Sequence, residues 1–143
     1  MSNVDVVRLV YSRFAANEMA RIPELLTDDF EWIYYGPDEL PWAGTYVGRA
    51  GVDRFFRIVD NLIEIEHFEP REFIDAGERV VVLGGSRARV LATGARYQTE
   101  WANIFTLRDG RICRLLDLYE TASVVRALRT EAQFVQRPVM ERQ

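Results

Sequence analysis

An α+β fold, with helices packed on one face of a curved sheet, is predicted by three observations. Apolar residues recur at helical spacing near the start of the chain and again after Gly48, then change to strand-like alternation from about Ile65. Asp109-Gly110 separates two apolar-rich runs and is a strong hairpin signal, because a type I′ turn needs positive φ at both central residues. The strands of the second half follow one another across short turns, which makes an antiparallel meander with the helices gathered to one side.

Taken in order, Ser2-Asn-Val-Asp5 reads as a capping box, and Val4, Val7, Val10 and Phe14 carry a first helix to about Ala16. Asn17 is the expected cap of a second, short helix that tolerates Pro23 in its first turn, faces Leu25-Leu26 inward and closes at Asp28-Asp29. Phe30 to Tyr35 is an aromatic-rich strand with Phe30, Trp32 and Tyr34 on one face. The turn-rich run Gly36 to Gly44 is long enough to be suspected of function, with Trp42 placed to cover a pocket or staple the loop. Gly48 to Gly51 leads into a third helix with an apolar stripe of Val52, Phe55, Phe56, Val59 and Leu62.

Phe68 to Ile74 is expected at a sheet edge, since Pro70 has no N–H to give a ladder. Strands over Arg79 to Leu91 and Arg96 to Leu107 follow, then the Asp109-Gly110 hairpin and a last helix over Thr121 to Arg129. With 143 residues and no repeat or linker, one domain over residues 1–130 and a polar tail over 131–143 are expected.

Composition narrows the chemistry. The hydrophobic fraction of 48% and charged fraction of 28% are those of a soluble globular protein. No apolar run approaches the roughly 20 residues of a membrane span and no signal peptide opens the chain, so a cytoplasmic address is expected, without a membrane partner. Net charge is −4 with no basic run, which argues against nucleic acid. All 18 basic residues are arginine, so Schiff-base and pyridoxal chemistry fall away. A single Cys113 and a single His67 leave no disulfide and no cysteine or histidine metal cage, and no cofactor is expected.

The hairpin carries the candidate site. With Arg108 opposite Arg111, regular pairing places Asp117 opposite Ala102, Tyr119 opposite Glu100 and Leu115 opposite Ile104, all on one face. Asp117 is flanked by leucines on a strand covered on both sides; burial raises a carboxylate's pKa and suits it to proton transfer. Glu100 is a diagonal neighbour and a second acid–base candidate. A three-residue turn at Thr93-Gly94-Ala95 sets Ser86 beside Ala102 on the same face. Asn103 and Trp101 are expected on the opposite face, where Trp101, Leu116 and Leu118 suit a homodimer interface. Cys113 shares the inward parity of Asp117 as core packing, and His67 on the edge strand reads as structural.

The element order, Tyr-Gly-Pro near the first strand, Gly48-Arg-x-Gly-Val52 and Trp101-x-x-x-Phe105-x-x-x-Asp109-Gly-x-Ile112 together resemble the nuclear-transport-factor-2-like (NTF2-like) superfamily, closest to its SnoaL-like branch. That branch includes polyketide cyclases and ketosteroid isomerases. The resemblance runs from about Val4 to Thr121. It implies a cone-shaped α+β barrel, a curved, mostly antiparallel sheet wrapped around N-terminal helices, enclosing an apolar pocket.

Carried over residue by residue, the resemblance is partial. The isomerases' oxyanion tyrosine matches Val10, their general base Tyr34, and their second oxyanion donor Ala102. In limonene-epoxide hydrolases one catalytic aspartate matches Asp117, the other matches Ser86 and its adjacent arginine Gly84. Their water-holding pair matches Trp32 and Tyr34. Many SnoaL-like relatives have histidine where Asn103 stands.

The expected reading is a cofactor-free isomerase or cyclase acting on a hydrophobic carbonyl compound, with Asp117 and Tyr34 catalytic. Trp32, Ser86, Glu100, Ala102, Tyr119, Phe56, Val10 and Leu115 are the expected substrate wall. The alternatives are a non-catalytic binding protein for an apolar ligand, an epoxide-hydrolase-like hydratase, and a dimerising scaffold.

Overall fold

In the computed structural model, which describes the backbone of residues 1–136 and the side chains of 1–129, the first helix is α1, Asn3–Ala15. Its capping box is present: the Ser2 hydroxyl accepts from the Asp5 amide, and the Asp5 carboxylate accepts from the Ser2 amide. Asn17 does not cap the next helix. It adopts φ 59° and ends α1 in the left-handed conformation that asparagine tolerates, while a 3₁₀ helix runs over Met19–Leu25 from Glu18. Arg13 ties the two helices together by donating to the carbonyl of Arg21 and pairing with Glu24.

Strand β1 spans Leu26–Tyr35, so Asp28-Asp29 lies within a strand rather than closing a helix; Asp29 is held by Arg108. A short strand the sequence analysis did not expect, β2 (Gly44–Val47), pairs antiparallel with β1. The intervening loop is folded inward, with Leu40 and Trp42 buried and the Trp42 carbonyl accepting from the Tyr46 hydroxyl. Helix α2, Gly48–Leu62, presses its apolar stripe onto this sheet. Glycine is required at 51 because a Cβ there would lie 2.8 Å from the Tyr46 backbone.

Strands β3 (Ile63–Ala76), β4 (Arg79–Val90), β5 (Arg96–Arg108) and β6 (Arg111–Tyr119) form the meander. The order across the sheet is β2-β1-β6-β5-β4-β3, antiparallel except that β1 and β6 run parallel. The curved sheet wraps around the helices but stays open, with β2 and β3 as its edges. Pro70 sits on edge strand β3 at a break in register, as a residue without an N–H must. Helix α3, Thr121–Gln136, packs on β5 through Val124 and Ala127, and its Arg129 pairs with Glu39. It continues past the Arg129 end expected from the sequence, no proline intervening before Pro138. Pro138 and the last residues of the expected tail lie outside the described residues.

The decisive feature is a bulge in the last hairpin. Asp109 and Gly110 take φ 52° and 78°, the type I′ geometry, and Arg108 does face Arg111. Leu107 then pairs with Ile112 but Thr106 pairs with Arg114, leaving Cys113 as one extra residue on β6. A one-residue offset exchanges the faces of everything beyond it. Asp117 therefore faces Asn103, Tyr119 faces Trp101 and Leu115 faces Phe105. Ala102, Ile104 and Glu100 turn outward. Ile112 and Leu115 both enter the core around the exposed Arg114, which regular alternation forbids and the bulge permits.

Candidate active site

Strands β1 and β6 set the centre of the site. Their parallel register puts Tyr34 beside Asp117 and Trp32 beside Leu115, with inward side chains meeting the stripe of α2. The Trp32 indole stacks on Phe55 at 3.9 Å between ring centroids, and Phe56 meets it edge-on at 5.5 Å. Burying rings of this size contributes about 1.5–3 kcal/mol each, and here it also fixes where the indole N–H points. That N–H donates to Asp117 Oδ2 at 2.9 Å.

The other carboxylate oxygen belongs to a second chain of hydrogen bonds. Asn103 Nδ2 donates to Asp117 Oδ1 at 2.8 Å, and Asn103 Oδ1 accepts from the Tyr11 hydroxyl at 2.6 Å. Tyr11 comes from α1, Asn103 from β5, Asp117 from β6 and Trp32 from β1, so four elements converge on one carboxylate. The Asp117 side chain meets no guanidinium among the described residues. At 5% exposure it is deeply buried, and desolvation raises its pKa from the ordinary 3.8 to about 7 against the opposing pull of the Trp32 and Asn103 hydrogen bonds. Burial and the Asp117 charge push the Tyr11, Tyr34 and Tyr119 phenols well above their usual 10, so these hydroxyls stay protonated.

Asp117 faces a cavity of about 120 Å³. Of the residues the sequence assigned to the site, Trp32, Tyr34, Ser86 and Tyr119 line it beside Asp117. Val10, Phe56 and Leu115 close its apolar wall. Tyr34 stacks on Tyr119 at 5.2 Å, and Trp42 meets Tyr34 edge-on at 6.3 Å, making the buried loop part of the wall.

Several placements are corrected. Ala102 and Glu100 leave the site, because the Cys113 bulge turns both to the outer face; Glu100 is bound there to Arg71 at 2.7 Å with its side chain 67% exposed. Ser86 does face inward, but it pairs with Thr99 across the ladder, and Ala102 pairs with Leu83. Trp101 is not on the outer face: it is buried against Phe68 at 4.8 Å, and its ring lies over Gly84, where any Cβ would collide with it. Cys113 is the bulge residue, its thiol donating to the Thr106 carbonyl. His67 is exposed on β3.

Asn103 and Tyr11 are the polar residues the sequence reading missed. Their signals were present. Tyr11 follows Val7 by four residues on the buried side of α1, and Asn103 falls in the odd-numbered β5 series of Tyr97, Trp101, Phe105 and Leu107, the bulkier of the two faces.

A family model for the SnoaL-like domain matches residues 7–115. Among solved structures, an NTF2-like protein from Burkholderia pseudomallei K96243 is 31% identical with a TM-score of 0.79, over 89% of this chain and 98% of that one. TerC, co-crystallised with polyporic acid, is 27% identical with a TM-score of 0.81, over 89% of this chain and 98% of its own. An NTF2-like protein from Burkholderia xenovorans LB400 is 28% identical with a TM-score of 0.78, over 87% and 94%. No curated protein matches the chain.

Proposed function

The chain belongs to the SnoaL-like family of the NTF2-like fold, and we propose that it is a cofactor-free isomerase or cyclase of hydrophobic carbonyl compounds, with Asp117 as its general base. The observation that supports this is a buried carboxylate with a pKa of about 7, met by no guanidinium among the described residues and placed at the edge of a mainly apolar cavity. A base poised near the working pH is efficient in both taking and returning a proton. The Asp117 carboxylate removes a proton from the carbon next to the substrate carbonyl, and the electron pair of that C–H bond moves to the carbonyl oxygen as an enolate. The protonated Tyr34 hydroxyl donates to that oxygen, with Tyr119 and Ser86 alongside. Returning the proton to a different carbon completes an isomerisation; attack of the enolate carbon on a second carbonyl, with the proton delivered to the new alkoxide, completes an aldol cyclisation.

The co-crystallisation of TerC with polyporic acid supports a flat aromatic compound as the kind of ligand to test. The direct test is solvent deuterium exchange into the carbon beside the carbonyl of flat ketones such as 2-tetralone, followed by NMR. Exchange above the buffer rate that disappears in Asp117→Asn is the expected result. No acceleration across a panel of aromatic and polycyclic ketones sinks the base assignment and leaves the second reading, a binding protein for an apolar ligand. That reading draws on the same geometry, since both Asp117 oxygens already hold hydrogen bonds within the protein.

The outer sheet face supports assembly as a homodimer. Leu83, Ala102, Leu118 and Tyr35 are ladder neighbours across four strands, and Leu83 and Leu118 are each 37% exposed. Such a stripe is suited to a self-complementary interface. Sedimentation of wild type against Leu118→Asp tests it, a dimer converted to monomer being the expected outcome.

A further inference from the structure

The cavity around Asp117 adjoins a larger groove of about 630 Å³, between the C-terminal end of α1, the second half of α2 and the start of β3. The two share walls at Tyr11, Phe14, Phe56 and Phe68. Phe14 lies 6.1 Å from Phe56 and 5.1 Å from Phe68 between ring centroids, and all three rings are half-buried. Phe56 in turn meets Trp32, whose indole holds Asp117. A continuous path of ring faces therefore leads from the outer groove to the carboxylate. The outer compartment has Asp60, Glu64, Glu66 and His67 at its rim. Glu64 and Glu66 are bound to Arg89 and Arg96, whereas among the described residues no guanidinium pairs with Asp60.

We propose that the outer groove is a second subsite, which holds the distal part of an elongated substrate that runs along Phe14, Phe56 and Phe68. The substrate class is a flat aromatic or polycyclic head that reaches Asp117, joined to a neutral tail ending in a hydrogen-bond donor such as a hydroxyl. Asp60 at the rim disfavours an anionic tail. This rests on the reading of the inner cavity as the ligand site. The groove beyond the aromatic wall rewards length with buried area.

Titration calorimetry of the full chain with two probes tests it: 2-naphthol, a head alone, and 6-(4-hydroxybutoxy)-2-naphthol, a head with a tail. The tailed probe is expected to bind at least about tenfold more tightly, the gain coming from apolar area buried in the groove. Ala15→Trp and Leu91→Trp fill the groove from opposite walls at exposed positions, where the fold tolerates them. Each is expected to erase the gain while leaving 2-naphthol binding unchanged. Asp117→Asn is expected to alter head binding and keep the gain from the tail. If the tailed probe alone binds wild type and both groove variants abolish this, the outer subsite stands and the inner reading fails. Equal affinity of the two probes for wild type overturns the proposal, as does a gain that survives both tryptophan substitutions.

Discussion

Asp117 and Glu100 are carboxylates on neighbouring strands, and the two faces of the sheet treat them oppositely. Asp117 is enclosed by rings and aliphatic side chains, holds two neutral donors and meets no cation among the described residues. Glu100 lies in solvent against Arg71, which also pairs with Glu69. An exposed pair contributes about 0–1 kcal/mol and is screened by salt, whereas an uncompensated buried charge costs several kcal/mol. Burial holds Asp117 back from ionising, and the hydrogen bonds from Trp32 and Asn103 only partly offset it.

The sharpest way to break this comparison is to neutralise each acid in turn. Asp117→Asn is expected to lower turnover by about 10²–10⁴-fold, the usual worth of a positioned base, in whichever carbonyl assay the wild type supports. Glu100→Gln is expected to leave it unchanged. Equal losses from the two substitutions would end the distinction between the faces.

A stability titration reads the same contrast without a substrate. Unfolded, Asp117 ionises near 3.8; folded, near 7. Between these values the folded chain retains a proton that the unfolded chain has lost, so this residue makes stability fall as pH rises through that window. The fall is up to about 4 kcal/mol, and it levels off above about pH 7. Glu66 and Glu69, whose partners Arg96 and Arg71 hold their pKa values below the ordinary range, act in the opposite sense and at lower pH. Urea unfolding of wild type and Asp117→Asn at pH 5 and pH 8 isolates the Asp117 contribution as the difference between the two proteins. A base-limited rate should rise over the same interval to a plateau above about pH 7.

Asn103→Leu is expected to have the next effect. It removes a donor that lowers the Asp117 pKa and strands the Tyr11 hydroxyl, so the midpoint of the rate profile moves upward and stability drops by about 1–3 kcal/mol. An unmoved midpoint would mean that the hydrogen-bond chain does not tune the carboxylate. Smallest of all, Arg71→Ala is expected to leave both the urea midpoint and the rate profile unchanged, because solvent screens its exposed pairs.

The hairpin shows how far sequence alone carried this site. Asp109-Gly110 fixed the turn, and Arg108 met Arg111 as expected, yet Glu100 and Ala102 were placed on the wrong face a few residues later. The cause is the single unpaired Cys113. No residue type demands a bulge there; what demands it is that Ile112 and Leu115 both pack inward while Arg114 stays in solvent. Asn103 was misplaced by the same residue. In contrast, Trp32, Tyr34 and Phe56 were legible because β1 and α2 follow regular periods through the site.

The sequence by itself determined the α1 capping box, the type I′ turn, the aromatic strand, the α2 stripe and the SnoaL-like family, all encoded within a few residues or in the order of elements. It also singled out Asp117 as a carboxylate among leucines. Only the tertiary structure decided what surrounds that carboxylate: Trp32 from β1, Asn103 from β5, Tyr11 through α1, and no guanidinium among the described residues. The physical reason is that a turn depends on local φ and ψ, whereas a buried charge feels every element packed against it. Its register is set by which side chains the core accepts.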